Sequence, residues 1–222
     1  NEELNQQNEE LAAQRDEIEK EKNNVEEAHN EIKDSINYAK RIQHAILPPD
    51  KLVTKFLDES FILYTPKDIV SGDFYWMNGD ENKLLFAAVD CTGHGVPGAF
   101  ISIVGYNGLN KMIGELKLSQ PGEILTNLNK HVSDSLHQEE NAEVKDGMDI
   151  SLCLLDKKNK KLQFSGANNP IYIVRKGELL ETKGDKKAIG SYYFREDKLF
   201  TNHEIDLQEG DCIYSFTDGY PD

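Results

Sequence analysis

The chain contains 222 residues, of which 25 are Lys or Arg and 40 are Asp or Glu, so its formal charge at pH 7 is 25 − 40 = −15. This acidity argues against nucleic acid and anionic membrane surfaces as partners, because both would repel the protein. A hydrophobic share of 38% is enough for one or two domains in a chain of this length. No apolar run approaches the ~18 residues that span a bilayer, and no secretory signal opens the chain.

Residues 1–47 are predicted to form a long helix of the coiled-coil type. An apolar side chain recurs every seven residues, and the residues between are mostly Glu, Gln, Asn and Lys, without Gly or Pro. The repeat consists of Leu4, Leu11, Ile18, Val25 and Ile32. The other seam positions are polar or basic, which favours a weak, parallel, in-register homodimer. A solvated single helix or a disordered charged run is the alternative.

Pro48 and Pro49 end this helix, because proline cannot continue the backbone hydrogen bonding of a helix. A weakly dimeric helix that leads directly into a folded domain is typical of signalling linkers, which can switch between two registers. The chain begins with Asn1 rather than Met, so we expect a segment of a longer protein with a sensor domain upstream, and a membrane anchor in that protein stays open. The segment itself is expected to make no membrane contact.

Residues 48–222 are predicted to form one α+β domain. Short β-rich runs are separated by turn signals, and two helical stretches interrupt them. The predicted strands are 61–64, 84–90, 150–156, 161–165, 171–175 and 211–216, and the predicted helices are 98–117 and 121–138. Three widely spaced cysteines indicate a reducing, cytoplasmic setting rather than a disulfide framework or a zinc site, and Cys153 and Cys212 are expected to be buried in strands.

Three aspartates stand beside or close to glycine at predicted strand ends: Asp73, Asp90 and Asp218. Each taken alone could be an ordinary turn, but their conjunction suggests carboxylates converging at one edge of a sheet. A site made of oxygen donors, without His or Cys ligands, is the preference of magnesium or manganese. Two such ions could activate a water for in-line attack on a phosphoryl group.

Residues 90–99 (DCTGHGVPGA) have two rival interpretations. A nucleotide-binding loop is one, but the glycine spacing differs from the Walker pattern and no Lys follows the glycines. A phosphoaspartyl mechanism at Asp90 is the other, and it would require a second Asp where Thr92 stands. Both rivals are weaker than the metal site.

The sequence resembles the metal-dependent PP2C-type (PPM) protein phosphatases, specifically their bacterial SpoIIE/RsbU-like branch. The resemblance covers about residues 36–222, and its motifs occur in family order. They are 38–43 (YAKRIQ), 47–49 (LPP), 71–76 (SGDFYW), 90–99 (DCTGHGVPGA), 164–170 (FSGANNP) and 217–219 (TDG). Together these motifs are highly specific for the family.

The resemblance implies a β-sandwich of two antiparallel sheets flanked by helices, with two Mn²⁺ or Mg²⁺ ions at one end. By position, Asp90 would bridge both ions, the carbonyl of Cys91 would hold one and Asp218 the other, while Asp73 would bind directly or through water. The substrate would be phosphoserine or phosphothreonine on a partner such as a STAS-type anti-sigma-factor antagonist. The chain would then be the output domain of a bacterial signalling protein, regulated through its dimeric helix.

Two departures from the family pattern qualify this expectation. Cys91 stands where the family usually has Gly, which is tolerable if only its carbonyl coordinates. Family members also continue past the TDG motif to a further metal-binding Asp, so we expect the C-terminal end of the domain to be missing and the segment to be weakly active or inactive. A catalytically degenerate phosphatase fold that acts as a dimerising scaffold is therefore the second hypothesis.

Further residues near the motifs have open roles. Asp149 could join the metal site or simply open a strand. His94 could donate a proton to the leaving hydroxyl or pack against its own loop. Asn168 and Asn169 are interpreted mainly as a turn that caps a strand near the phosphate.

Overall fold

The structure is a computed structural model, and it describes residues 2–57, 59–136, 146–190 and 199–219. The chain divides into two compact units, Asn1–Ile42 and Gln43–Asp222. The first unit is purely helical, and the second contains the sheets and the shorter helices.

The N-terminal helix α1 covers Glu2–Ile46 without a break and ends just before Pro48, as the sequence predicts. Glu2 and Glu3 lie in its first turn, where negative charge stabilises the helix dipole. The five apolar residues of the seven-residue repeat are between 56% and 69% exposed. In the described part of the chain, no helix is both long and apolar enough to cross a membrane.

The second unit alternates helices and strands. Its helices are α2 (Asp50–Phe56), α3 (Gly95–Gly114) and α4 (Pro121–Ser135). Its strands are β1 (Phe74–Gly79), β2 (Lys83–Cys91), β3 (Met148–Asp156), β4 (Lys161–Ala167), β5 (Ile171–Arg175), β6 (Glu178–Thr182), β7 (His203–Asp206) and β8 (Cys212–Tyr214).

Two antiparallel sheets organise this unit. The larger has the order β1-β2-β3-β4-β7, and the smaller has the order β6-β5-β8. The prediction of an α+β fold with two antiparallel sheets and a long N-terminal helix is confirmed.

Alternation along the strands separates two hydrophobic clusters, because successive side chains of a strand point to opposite faces. On β2, Ala87, Val89 and Cys91 pack with α3 and α4, whereas Phe86 packs with residues of the smaller sheet. The first cluster therefore lies between the larger sheet and the helices, and the second lies between the two sheets.

Some predicted elements were wrong or displaced. Residues 61–64 do not form a strand, and Phe61 and Leu63 are 79% and 69% exposed. Their β-propensity has no effect here because no strand of the described residues pairs with them. Strands β1, β6 and β7 were not predicted.

Smaller corrections concern element ends and one cysteine. Helix α3 begins three residues earlier than predicted and ends at Gly114, and residues 137–138 of the second predicted helix lie outside the described residues. Cys153 is buried as expected, but Cys212 is exposed because β8 pairs with β5 alone.

Candidate metal centre

The strand register brings three aspartates into one row across the larger sheet. Asp90 pairs directly with Asp149 in the β2–β3 ladder. Asp73 comes one residue before the β1–β2 pair Phe74–Val89, so the same register places it opposite Asp90. By alternation Asp90 lies on the face of β2 that also presents Phe86 towards the smaller sheet. The row therefore lies at the end of the space between the sheets.

Asp218 reaches this row from the chain segment that follows β8 of the smaller sheet. Its exposed carboxylate lies close enough to the Asp90 side chain to raise the pKa of that residue. Burial, the negative charge of Asp73 and hydrogen bonds with Asp218 and Asp73 raise the pKa of Asp90 to about 8. Three of the predicted ligands, Asp73, Asp90 and Asp218, are thus brought together by the fold.

Asp149 belongs to the same group of carboxylates. The Nδ2 group of Asn168 donates to Asp149 Oδ1 at 2.8 Å. Burial raises the pKa of Asp149, the hydrogen bond from Asn168 lowers it, and the charge of Asp218 raises it further. Asn168 makes this contact from a left-handed backbone conformation with φ of 57°, which asparagine tolerates better than most residues.

Asp73 is held by hydroxyl groups on both of its sides. Its backbone N–H donates to Ser71 Oγ at 3.0 Å, and Thr217 Oγ1 donates to its Oδ2 at 2.8 Å. Thr217 directly precedes Asp218, so one short segment both fixes Asp73 and supplies the fourth carboxylate. Apart from its membership of the TDG motif, nothing in the sequence indicates this role for Thr217.

Cys91 presents its carbonyl oxygen, and not its thiol, to the neighbouring loop. The side chain is 3% exposed within the first hydrophobic cluster, and burial raises the pKa of its thiol. A Cβ on Gly72 would lie 2.9 Å from the Cys91 carbonyl oxygen and 2.7 Å from that of Gly93. Gly72 is therefore required for the close approach of the loop before Asp73 to these carbonyls.

His94 pairs with a residue that the sequence did not indicate. Its Nδ1 lies 2.9 Å from Asp68 Oδ2, and its side chain is 79% exposed. The two residues are 26 positions apart, and Asp68 lies in a loop without any motif of its own. His94 is the residue that immediately precedes α3, beside the loop that follows Asp90.

The family model described as Stage II sporulation protein E (SpoIIE) matches residues 80–222. The chain belongs to the SpoIIE family. Its PP2C-type character agrees with the SiaA-PP2C domain of Pseudomonas aeruginosa, which is 32% identical with a TM-score of 0.74. That match covers 84% of this chain and 71% of the SiaA chain.

Two more distant structures share the fold with this SpoIIE-family chain. The RsbU and RsbW domains of a Mycobacterium tuberculosis protein are 18% identical with a TM-score of 0.52, over 67% of this chain and 39% of that one. A serine/threonine phosphatase of S. agalactiae is 16% identical with a TM-score of 0.50, over 67% and 72%. No curated protein matches the sequence.

The donors of this SpoIIE-family chain fit a divalent cation of the magnesium or manganese type. Crowded carboxylates favour protonation, as the raised pKa of Asp90 reflects, unless positive charge neutralises them. Within the described ranges, no three His, Cys, Asp or Glu side chains are grouped so as to hold one ion by themselves. Magnesium is commonly held in proteins by one or two carboxylates and keeps several waters. PP2C-type phosphatases are metal-dependent.

Proposed function

We propose that this chain is a metal-dependent serine/threonine phosphatase domain of a bacterial signalling protein. Its substrate would be phosphoserine or phosphothreonine on a partner protein, such as a STAS-type anti-sigma-factor antagonist. The observation that supports the proposal most directly is the row of Asp73, Asp90 and Asp149, which Asp218 joins from the other sheet.

The proposed ligands are the carboxylates of Asp73, Asp90 and Asp218 and the carbonyl oxygen of Cys91. Two Mn²⁺ or Mg²⁺ ions bound there would lower the pKa of water and neutralise charge on the phosphoryl oxygens. Asp90 is suited to a shared position because both Asp73 and Asp218 are close enough to raise its pKa. Asp149, oriented by Asn168, would add negative charge on the Asp218 side of the group.

His94 is the proposed proton donor to the leaving hydroxyl. Asp68 engages Nδ1 at 2.9 Å, which leaves Nε2 free of that contact for proton transfer to a substrate oxygen. The exposed side chain is accessible to a protein substrate. Loss of Asp68 would leave the imidazole without the carboxylate that orients it.

The proposed domain boundary lies directly before the two prolines, with residues 1–47 as a coiled-coil linker and residues 48–222 as the phosphatase domain. We propose that the exposed apolar repeat of α1 pairs with a second copy as a parallel homodimer. An upstream sensor domain in the parent protein would act through this helix. The linker would thereby regulate the phosphatase.

The test is manganese-dependent hydrolysis of a phosphoserine peptide by the full-length protein and its Asp90→Asn variant. We expect the variant to lose at least about 100-fold in turnover. Removing a direct metal ligand should reduce activity more than removing a residue that only hydrogen-bonds to a ligand. Asp206→Asn is the matched control, since that carboxylate is 89% exposed on β7 and should be silent. Undiminished turnover in Asp90→Asn would refute the assignment.

The same pair of proteins separates the enzyme from the alternative, a degenerate fold that serves as a dimerising scaffold. Calorimetric titration with Mn²⁺ should show binding to the wild-type protein if the carboxylates hold ions. A folded, dimeric wild-type protein that binds no Mn²⁺ favours the scaffold.

A further inference from the structure

A buried glutamine lies in the last turn of α1. Gln43 is 2% exposed, and all of its polar groups are hydrogen-bonded. Its Nε2 donates to the Ser71 carbonyl oxygen at 2.5 Å and to Ser102 Oγ at 2.9 Å, while its Oε1 accepts from the Ser71 N–H at 3.1 Å. Burying an amide is costly unless it is paired, so these bonds fix its position closely.

The side-chain amide of Gln43 hydrogen-bonds to both the N–H and the carbonyl oxygen of Ser71, as the backbone of a neighbouring strand would. Ser71 then accepts a hydrogen bond from the Asp73 N–H through its Oγ, at 3.0 Å. Gly72 between them lies so close to the carbonyls of Cys91 and Gly93 that a Cβ at this position would clash with both. Only two hydrogen bonds therefore separate the Gln43 side chain from Asp73.

Ser102 connects the same amide to α3. Its Oγ accepts from Gln43 and donates to the Ala99 carbonyl oxygen at 2.8 Å. Helix α3 follows the short loop 92–94, which connects it to the end of β2 where Asp90 lies. Gln43 thus connects Ser71, which precedes Asp73, to helix α3, which follows Asp90 in the chain.

Neighbouring residues at the end of α1 hold the same segment from further points. Tyr75 donates its hydroxyl to the Pro48 carbonyl oxygen at 3.2 Å. Tyr64 donates to the Asp73 carbonyl oxygen at 3.2 Å, and its ring contacts His44 edge to face with centroids 6.4 Å apart. The end of α1 and the proline that follows it therefore contact residues on both sides of Asp73.

We propose that Gln43 is a positioning residue of the metal centre: by holding Ser71 it sets the place of the Asp73 carboxylate, and with it the affinity for the cation. The proposal rests on the proposed function, because it assigns Asp73 to the ions. Gln43 contacts neither substrate nor reacting atoms, so its effect is on cation binding.

The test compares Gln43→Met with the wild-type full-length protein by calorimetric titration with Mn²⁺ alone. Met keeps the length of the side chain and removes its hydrogen bonds. We expect about tenfold weaker binding, the usual effect of losing an outer partner of a metal site. Gln14→Met makes the same change at an exposed position of α1 and should leave the affinity unchanged.

Amide hydrogen exchange provides a second measurement that does not depend on activity. In Gln43→Met the Ser71 amide should exchange faster, because its acceptor is gone. In Ser71→Ala that amide should stay protected, whereas the Asp73 amide should exchange faster and Mn²⁺ binding should weaken about tenfold. If Gln43→Met does not fold, the affinity of Ser71→Ala decides the question.

A destabilised control separates positioning from general loss of stability. Ile173→Ala creates a cavity in the second hydrophobic cluster and should lower the melting temperature without changing Mn²⁺ affinity. Unchanged Mn²⁺ affinity in folded Gln43→Met, or equal weakening in Ile173→Ala, would overturn the proposal while leaving the proposed function intact. A wild-type protein that binds no Mn²⁺ overturns both.

Discussion

The helix α1 and the end of the larger sheet use the same residue type in opposite ways. Residues 1–50 contain 13 acidic and 6 basic side chains, a net charge of 6 − 13 = −7, and those of α1 are solvated along an exposed helix. At the sheet end four carboxylates converge, and burial together with mutual repulsion raises the pKa of Asp90 to about 8. Placement, rather than number, gives aspartate its chemistry here.

Removing one carboxylate from each region should give the largest contrast. We expect Asp218→Asn to lower manganese-dependent turnover by about 100-fold or more, because the variant loses a proposed cation ligand. Glu17→Gln in α1 should leave turnover unchanged, since that carboxylate is exposed on the helix. Equal effects of the two changes on steady-state hydrolysis of a phosphopeptide would remove the distinction between the regions.

The thermal stability of the metal-free protein, measured with a chelator present, should fall as pH rises from about 4 to about 8. Folded Asp90 keeps its proton up to about pH 8, while the unfolded chain releases it near 3.8, so the unfolded state is favoured increasingly across this window. We expect the melting temperature to drop by about 5 °C in scanning calorimetry with a chelator.

Asp90→Asn is the control for this titration, because it keeps the shape of the side chain and cannot ionise. The variant should show a flatter pH dependence and, without metal at pH 8 to 9, a higher melting temperature than the wild type. If the melting temperature of the wild-type protein instead rises with pH through this window, the carboxylates do not repel one another as proposed.

The exposed repeat of α1 should govern self-association. Ile18→Asp places a charge on the apolar stripe and should weaken the dimer at least about tenfold in sedimentation equilibrium, through loss of buried apolar surface. Ala13→Asp makes a similar change on the opposite side of the repeat and should leave the dimer intact. A monomeric wild-type protein would show that the stripe has no partner copy.

A smaller effect is expected from Asn168, which contacts a carboxylate and no proposed cation. Asn168→Ala should weaken Mn²⁺ binding by roughly threefold, because Asp149 loses its hydrogen bond while the other carboxylates remain. Asn127→Ala, at a half-buried position of α4 where the amide donates to the Glu123 carbonyl oxygen, controls for the loss of an amide. Equal calorimetric Mn²⁺ affinities for Asn168→Ala and the wild-type protein would mean that Asp149 lies outside the metal centre.

The sequence predicted the fold class and the three aspartates of the motifs because each lies beside a local signal. Glycine adjoins Asp73 and Asp218 and lies three residues after Asp90, and these turn signals at strand ends are visible without a structure. The place of Asp149 depends on the register of β2 with β3, which the sequence leaves open until the ladder is known.

Long-range contacts account for most of what the sequence did not reveal. Gln43 meets Ser71 across 28 positions and Ser102 across 59, and His94 meets Asp68 across 26. None of these pairs has a periodicity or spacing that would indicate it. The wrong strand at 61–64 has a related cause, since β-propensity predicts a strand only where a neighbouring strand is available.

The central claim is that the carboxylates at the sheet end hold divalent cations. Calorimetric titration of the full-length wild-type protein and its Asp90→Asn variant with Mn²⁺ tests it most directly. The account predicts saturable binding by the wild type and its loss in the variant, with both proteins folded. Equal binding by the two proteins, or no binding by the wild type, would contradict it.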